Sequence, residues 1–217
     1  MKTLFAVLAL TALAQAQQPP PAAQDLARAL QRKYDQVHSF TADFIQHYEG
    51  GVLRKSLTER GTVQVKKPGR MRWEYKAPEE KLFVSDGRKM YSYIPADKQV
   101  IVSTVPADDQ ATTAVLFLVG KGNLTRDFNA TLIGTNDPRT WTLRLDPKTA
   151  QREYDWLIVV IDRKSMQIKA LTAGDNQGTK SSFLFSNMRE NVDLPDKQFE
   201  FKIPRGADVI TSGSPAP

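Results

Sequence analysis

Few residues of this chain have the types and spacing that chemistry needs. His38 and His47 stand nine positions apart across a helix-to-strand boundary. That spacing matches no H-E-x-x-H or related ligand pattern, so neither a metal nor a cofactor is expected. The chain has no cysteine, which removes a thiol nucleophile, a Cys-ligated zinc and a lipid-anchored N-terminal Cys. No G-x-S-x-G, P-loop or G-x-G-x-x-G occurs. Glu79-Glu80 and Asp108-Asp109 fall in loop or helix-start positions where solvation accounts for them. No catalytic residue is assigned, and no enzyme is expected.

The stretch Val65 to Pro78 (VKKPGRMRWEYKAP) offers different chemistry. Bases interleaved with aromatics could stack nucleobases and neutralise phosphates, provided both types share one exposed face. Strict alternation separates them: Met71, Trp73 and Tyr75 point one way, and Arg70, Arg72 and Lys76 the other. No nucleic acid partner is expected. Counting in twos from Val63 and Val65 turns Lys67 to the apolar face, where a charge is costly unless paired or at a rim. Equally, the strand could end at Lys66, and spacing alone leaves both readings open.

The elements that hold these residues are mostly strands. Leu26, Leu30, Tyr34 and Val37 recur at helical spacing and predict one amphipathic helix from about Ala23 to Val37. From Ser39 the period becomes two, with Phe40, Ala42, Phe44 and Gln46 on one face. Pro68-Gly69 reads as the centre of a type II turn, and Asp86-Gly87 as a hairpin between Leu82–Ser85 and Arg88–Ile94. Further strands are expected over Lys98–Thr104, Phe128–Ile133, Trp141–Leu145, Tyr154–Asp162, Gln167–Ala173, Ser181–Met188 and Phe199–Ile203. One segment breaks the rhythm. Acidic residues, then an apolar run ending at Gly120, predict a second helix over about Asp108 to Val119. Its apolar end is too continuous for a lone surface helix.

Compartment and size follow from composition. Met1-Lys2, the apolar run Leu4 to Ala14 and the A-x-A triplet Ala14-Gln15-Ala16 have the form of a secretory signal peptide. The expected divisions are a signal peptide over 1–16, a Pro-rich leader over 17–23, one folded domain over 24–210 and a flexible tail over 211–217. The net charge of +6 becomes +5 once Lys2 is lost, and a cationic exported protein meets anionic headgroups and acidic proteins. Without disulfides the core alone must stabilise the domain. A curved antiparallel sheet with an apolar inner face and helices over it results. The helices either plug a β core or lid a cavity for something apolar.

The motifs SFTADFIQ, G-x-V-x-V-K-K-P-x-x-M-x-W-x-Y, V-S-D-G-x-x-M-Y-x-Y and the terminal F-x-F-x-x-P-x-G, in that order from Leu26 to Val209, resemble the LolA family. These are periplasmic carriers of outer-membrane lipoproteins. The resemblance implies a single antiparallel sheet of about eleven strands curled into an unclosed (half) β-barrel, covered by an N-terminal helix and a mid-chain apolar helix. It implies a hydrophobic cavity for acyl chains, here lined by Phe40, Phe44, Val63, Val65, Met71, Trp73 and Tyr75 with Leu116 and Leu118 of the mid-chain helix. For each aromatic, ordinary core packing is the competing account. The family's functionally important basic residue falls on Lys67, where the best-studied members carry Arg. Lys67 then sits at the mouth as a lid latch, looser than an arginine fork would be. The implied partners are acylated lipoproteins, an inner-membrane lipoprotein-releasing ABC transporter and an outer-membrane lipoprotein acceptor, with the carrier itself a monomer in the periplasm. A lipid or glycolipid carrier of the same fold is one alternative. An envelope-stress lipid-sensing module is another, and it would append a second domain that the chain after Val209 is not expected to supply.

Overall fold

Helix α1, Ala23–Asp35, carries Leu26, Ala27, Leu30 and Tyr34 on one buried stripe. Asp25 in its first turn and Arg32 and Lys33 in its last complement the helix dipole. The computed structural model describes residues 21–50, 56–105, 122–134, 137–151 and 154–212. The helix expected over Asp108–Val119, with Leu116 and Leu118, lies outside the described residues, as does the segment read as a signal peptide.

Among the described residues twelve strands follow in one sheet: β1 (Ser39–Glu49), β2 (Ser56–Lys66), β3 (Arg70–Ala77), β4 (Lys81–Asp86), β5 (Lys89–Ile94), β6 (Gln99–Thr104), β7 (Phe128–Ile133), β8 (Thr140–Pro147), β9 (Trp156–Asp162), β10 (Ile168–Gly174), β11 (Lys180–Glu190) and β12 (Asp208–Ser212). Their order is β12-β6-β5-β4-β3-β2-β1-β11-β10-β9-β8-β7, so the curled sheet stays open with β12 and β7 at its edges. All pairs are antiparallel except β12 with β6. A short helix α2, Leu124–Asp127, precedes β7, its N-terminus capped by the Asn123 side chain. Asp86 Oδ1 accepts from the backbone N–H groups of Arg88 and Lys89, closing the expected β4–β5 hairpin. Gly69 takes φ +73°, the left-handed value its turn requires.

Alternation sorts the sheet into two faces. The inner face joins Phe40, Ala42 and Phe44 to Val63, Val65, Met71, Trp73, Leu143, Leu145, Leu157, Val159, Ile161, Ile168, Leu171 and Phe185, and α1 packs into the same cluster. A second, smaller apolar layer lies outside. Val84 pairs in register with Arg72 and Tyr91, on the face opposite Trp73, and is fully buried there. It is covered by the chain that follows β11. Asn191 N donates to Ser39 O at 2.7 Å, and a 3-10 turn over Asp196–Phe199 then packs on β3 and β4. Phe201 sits 5.3 Å from the ring of Tyr91 and 5.9 Å from that of Tyr93.

The chain after β11 corrects two sequence expectations. Phe199–Ile203 is not a strand: Phe199 ends the 3-10 turn and residues 200–207 pair with nothing in the sheet. Its aromatics alternate because they fill the outer layer, and Pro204 has no N–H for a ladder. The twelfth strand is instead β12, which reaches Ser212, two residues into the expected tail. Its partner β6 lies about a hundred residues away in the chain, beyond any local pattern. Arg70 and Arg72 do face outward, but they are engaged. Asp196 accepts from Lys66 at 2.6 Å and lies 3.5 Å from Arg70, while Arg72 pairs with Glu74 at 2.5 Å and reaches Gln198 O.

Candidate functional site

The inner face of β1–β3 is an aromatic wall built by register. Phe44 lies opposite Gly61, which lies opposite Tyr75, so the two rings face each other across a residue without a side chain. Phe44 meets Tyr75 edge-on at 4.9 Å and Trp73 at 5.0 Å. Phe83 adds a contact to Tyr75 at 5.5 Å, and Phe183 one to Trp73 at 5.3 Å. Edge-to-face pairs at these separations add modestly to the area they bury. A Cβ on Gly61 would lie 1.9 Å from Glu74 O and 2.8 Å from Phe44 Cζ, so only glycine permits this approach.

Of the nine residues read as cavity-lining, Phe40, Phe44, Val63, Val65, Met71 and Trp73 are buried together on this face, and Tyr75 is half-buried beside them. Leu116 and Leu118 fall outside the described residues. Phe83, Phe183, Phe185 and the β8–β10 residues share the face without having been assigned to it. The alternation Phe183, Phe185 within Ser181–Met188 carried the signal, but which parity is inward depends on the pairing with β1. Among the described residues the Trp73 indole N–H is buried without a hydrogen-bond partner. Tyr75 Oη donates to Gln46 Oε1 at 2.7 Å. Burial, then the negative charge of Glu59, push the Tyr75 phenol far above its ordinary range, so it stays a neutral donor.

Lys67 realises both readings of its position. Strand β2 ends at Lys66, yet the Lys67 backbone N–H still donates to His38 O at 2.8 Å. Its ammonium turns inward and donates to the carbonyl oxygen of Tyr34 in the last turn of α1, with Nζ 5.6 Å from the Tyr34 ring centroid. A cation on terminal helix carbonyls is favourable. Burial lowers the Lys67 pKa, and Asp35 opposes that shift. Two further ties hold α1 down: Lys33 to Glu190 at 2.6 Å, and Leu124 N to Gln31 Oε1 at 2.8 Å. Two grooves, of about 650 and about 720 Å³, are lined by Asp43, Gln64 and Glu74 and by Asp137, Arg139 and Asp162 respectively. Both lie on the outer face, away from the aromatic wall. No group of His, Asp or Glu suited to a metal occurs among the described residues.

A family model described as "Outer membrane lipoprotein carrier protein LolA" matches residues 35–202. The chain belongs to the LolA family. An outer-membrane lipoprotein carrier protein of Chromohalobacter salexigens is 33% identical over 210 residues, spanning 96% of this chain and 94% of that one. The protein of the same name from Bordetella avium is 31% identical over 208 residues, 95% of each chain. Among solved structures, an uncharacterized conserved protein from Thermus thermophilus superposes with a TM-score of 0.55 at 14% identity, covering 88% of this chain and 99% of that one. That likeness concerns the fold alone. The LolA-family sheet is here the open, curled sheet described above, with α1 packed against its inner face.

Proposed function

We propose that this chain is a soluble periplasmic carrier without catalytic activity, which binds the acyl chains of lipoproteins released from the inner membrane and ferries them to the outer membrane. The observation that carries the reading is the continuous apolar inner face, with α1 tied across it at Lys67 and Glu190. Phe40, Phe44, Val63, Val65, Met71, Trp73 and Tyr75 would line the acyl site, with Leu116 and Leu118 from the mid-chain segment. Its partners would be an inner-membrane lipoprotein-releasing ABC transporter and an outer-membrane acceptor, the signal peptide over 1–16 directing export and the carrier acting as a monomer.

Energetics explain why such a carrier needs a closure. Burying a chain of ~16 carbons contributes roughly 12 kcal/mol gross, at about 0.8 kcal/mol per CH₂. Two or three chains would exceed the practical limit of about 18 to 21 kcal/mol for non-covalent affinity. Displacing α1 and the contacts that hold it offsets part of that gain, so cargo can leave. Lys67 supplies one such contact, and its weaker directionality than arginine makes the closure easier to open.

Native mass spectrometry of the protein purified from its own periplasm tests the reading. Co-purifying triacylated lipoproteins are expected. Free lipid or glycolipid alone would replace the lipoprotein carrier with a lipid carrier of the same fold, and an apo protein that recruits a signalling partner would point to a lipid-sensing module.

A further inference from the structure

We propose that a polar cluster at one end of the inner face, formed by Glu59, Lys81, Tyr75, Gln46 and Ser181, is the subsite that receives the ester- and amide-linked head of an acylated ligand. The inference rests on the carrier reading and adds to it the place where the ligand's polar part sits.

Register puts all five on the concave side. Gln46 lies opposite Glu59 and Phe183, and Phe183 lies opposite the buried Leu171. Tyr75 lies opposite Gly61 and Lys81, and Ser181 opposite Ala173, which in turn faces Leu157 of the core. Cross-strand partners share a face, so this polar group continues the aromatic wall. It is also connected. Lys81 Nζ donates to Glu59 Oε1 at 2.7 Å, Tyr75 Oη to Gln46 Oε1 at 2.7 Å, and Gln46 Nε2 to Ser181 Oγ at 2.8 Å.

Packing alone gives no reason for an ion pair here. The Glu59 side chain is only 9% exposed and that of Lys81 20%, and apolar residues of similar volume would be as stable or more so. What the cluster presents inward is donors. Glu59 is the one partner Lys81 has among the described residues, so two of its three N–H groups are unused. The Ser181 hydroxyl accepts from Gln46 and keeps its own proton to give. One inward position along β3, the Trp73 indole N–H is buried and unpartnered among the described residues. A hydrocarbon chain has no acceptor for any of these, whereas ester and amide carbonyls do.

The two ends of the face differ in the sense this requires. Toward Phe40, α1 is held down by Lys67 on Tyr34. Past Gln46 in the other direction, Tyr48 and Leu57 lie opposite one another on the same inner parity, yet are 38% and 39% exposed. An apolar pair open to solvent just beyond a ring of donors is the arrangement of an entrance. Chains would run from it toward Phe44 and Phe40 while their carbonyls stop at Lys81 and Ser181.

The test compares two probes on the full chain: a dipalmitoyl-glyceryl-cysteine peptide, and a fluorophore on an ester-free hexadecyl chain. The double variant Glu59→Gln/Lys81→Met removes both charges without leaving one unpaired. It should bind the lipopeptide about tenfold more weakly and the hexadecyl probe within about twofold of wild type. Ser181→Ala, which leaves the ion pair intact, should weaken lipopeptide binding alone, by about threefold. Equal losses for both probes, or no loss for either, overturn the subsite while leaving the carrier reading standing. Wild-type protein that binds neither probe overturns both.

Discussion

Lys67, in the turn between β2 and β3, donates its ammonium to the carbonyl oxygen of Tyr34, thirty-three residues earlier at the C-terminal end of α1. One side chain thereby joins the sheet to the helix that crosses its inner face. Lys67→Ala should cost about 2 kcal/mol in urea unfolding, the scale of a hydrogen bond to a charged group. Amide exchange in Ala23–Asp35 should rise more than in β8–β10, and acylated cargo should still load but transfer poorly. Lys67→Arg should retain the stability. Identical exchange in helix and sheet would remove the latch role.

Gly61→Ala should be among the more damaging single-methyl changes in the chain. The added Cβ falls 1.9 Å from the Glu74 carbonyl oxygen and 2.8 Å from Phe44, so the β2–β3 ladder or the aromatic wall must shift. A loss of about 3 kcal/mol is expected, the upper part of the overpacking range. Near-ultraviolet circular dichroism should change with it, because Phe44 contacts both Trp73 and Tyr75. A variant as stable as wild type would contradict this packing.

Tyr34 and Tyr75 both have phenol pKa values raised chiefly by burial. A group whose folded pKa lies above its unfolded one contributes stability that is complete below the unfolded value, about 10, and is lost as pH climbs past it toward the folded value. Stability should therefore fall above about pH 10. Phenolate absorbance equivalent to at least two of the six tyrosines should appear only with unfolding. Tyr75→Phe should reduce that delayed fraction by one. Reversible ionisation of every tyrosine in folded protein is the contrary outcome.

Acid should act on the outer strap. The hydrogen bond from Lys66 and the nearby Arg70 charge hold the Asp196 carboxyl below its ordinary pKa. Its contribution is present above about pH 4 and disappears as pH falls through the folded value. Exchange in residues 191–207 should accelerate there before that in β8–β10, and Asp196→Asn should show the same acceleration at neutral pH. Coincident acid curves for strap and sheet in wild type and variant would dismiss the idea. Phe201→Ala, at the other end of the strap, should cost about 2 kcal/mol, less than a fully buried phenylalanine.

Much of the inner face was legible in the residues themselves. Strict alternation in Ser39–Gln46 and Arg70–Lys76 allows only two assignments of each strand, and burial of Phe40, Phe44, Met71 and Trp73 follows from either packing account. The Asp86-Gly87 hairpin was equally plain, since its turn chemistry is local. Phe83, Phe183 and Phe185 were not assigned to the wall because parity becomes direction only after a strand has found its neighbour. The Glu59–Lys81 pair was invisible for a related reason: Glu59 continues the inward parity of Gly61, Val63 and Val65, but Lys81 comes to it only once β3 and β4 have found their places in the sheet.

By itself the sequence determined a mainly β chain, one amphipathic helix, the separation of aromatics from Arg70 and Arg72, and the family to which the chain belongs. Each depends on periodicity or on short-range turn chemistry, which neighbouring residues dictate. Only the tertiary structure decided that β12 pairs in parallel with β6, that residues 191–207 strap the outer face, and that Lys67 reaches Tyr34. Those are contacts between segments far apart in the chain. Their free energy depends on how well two distant surfaces match once the sheet has curled, and no local pattern encodes that match.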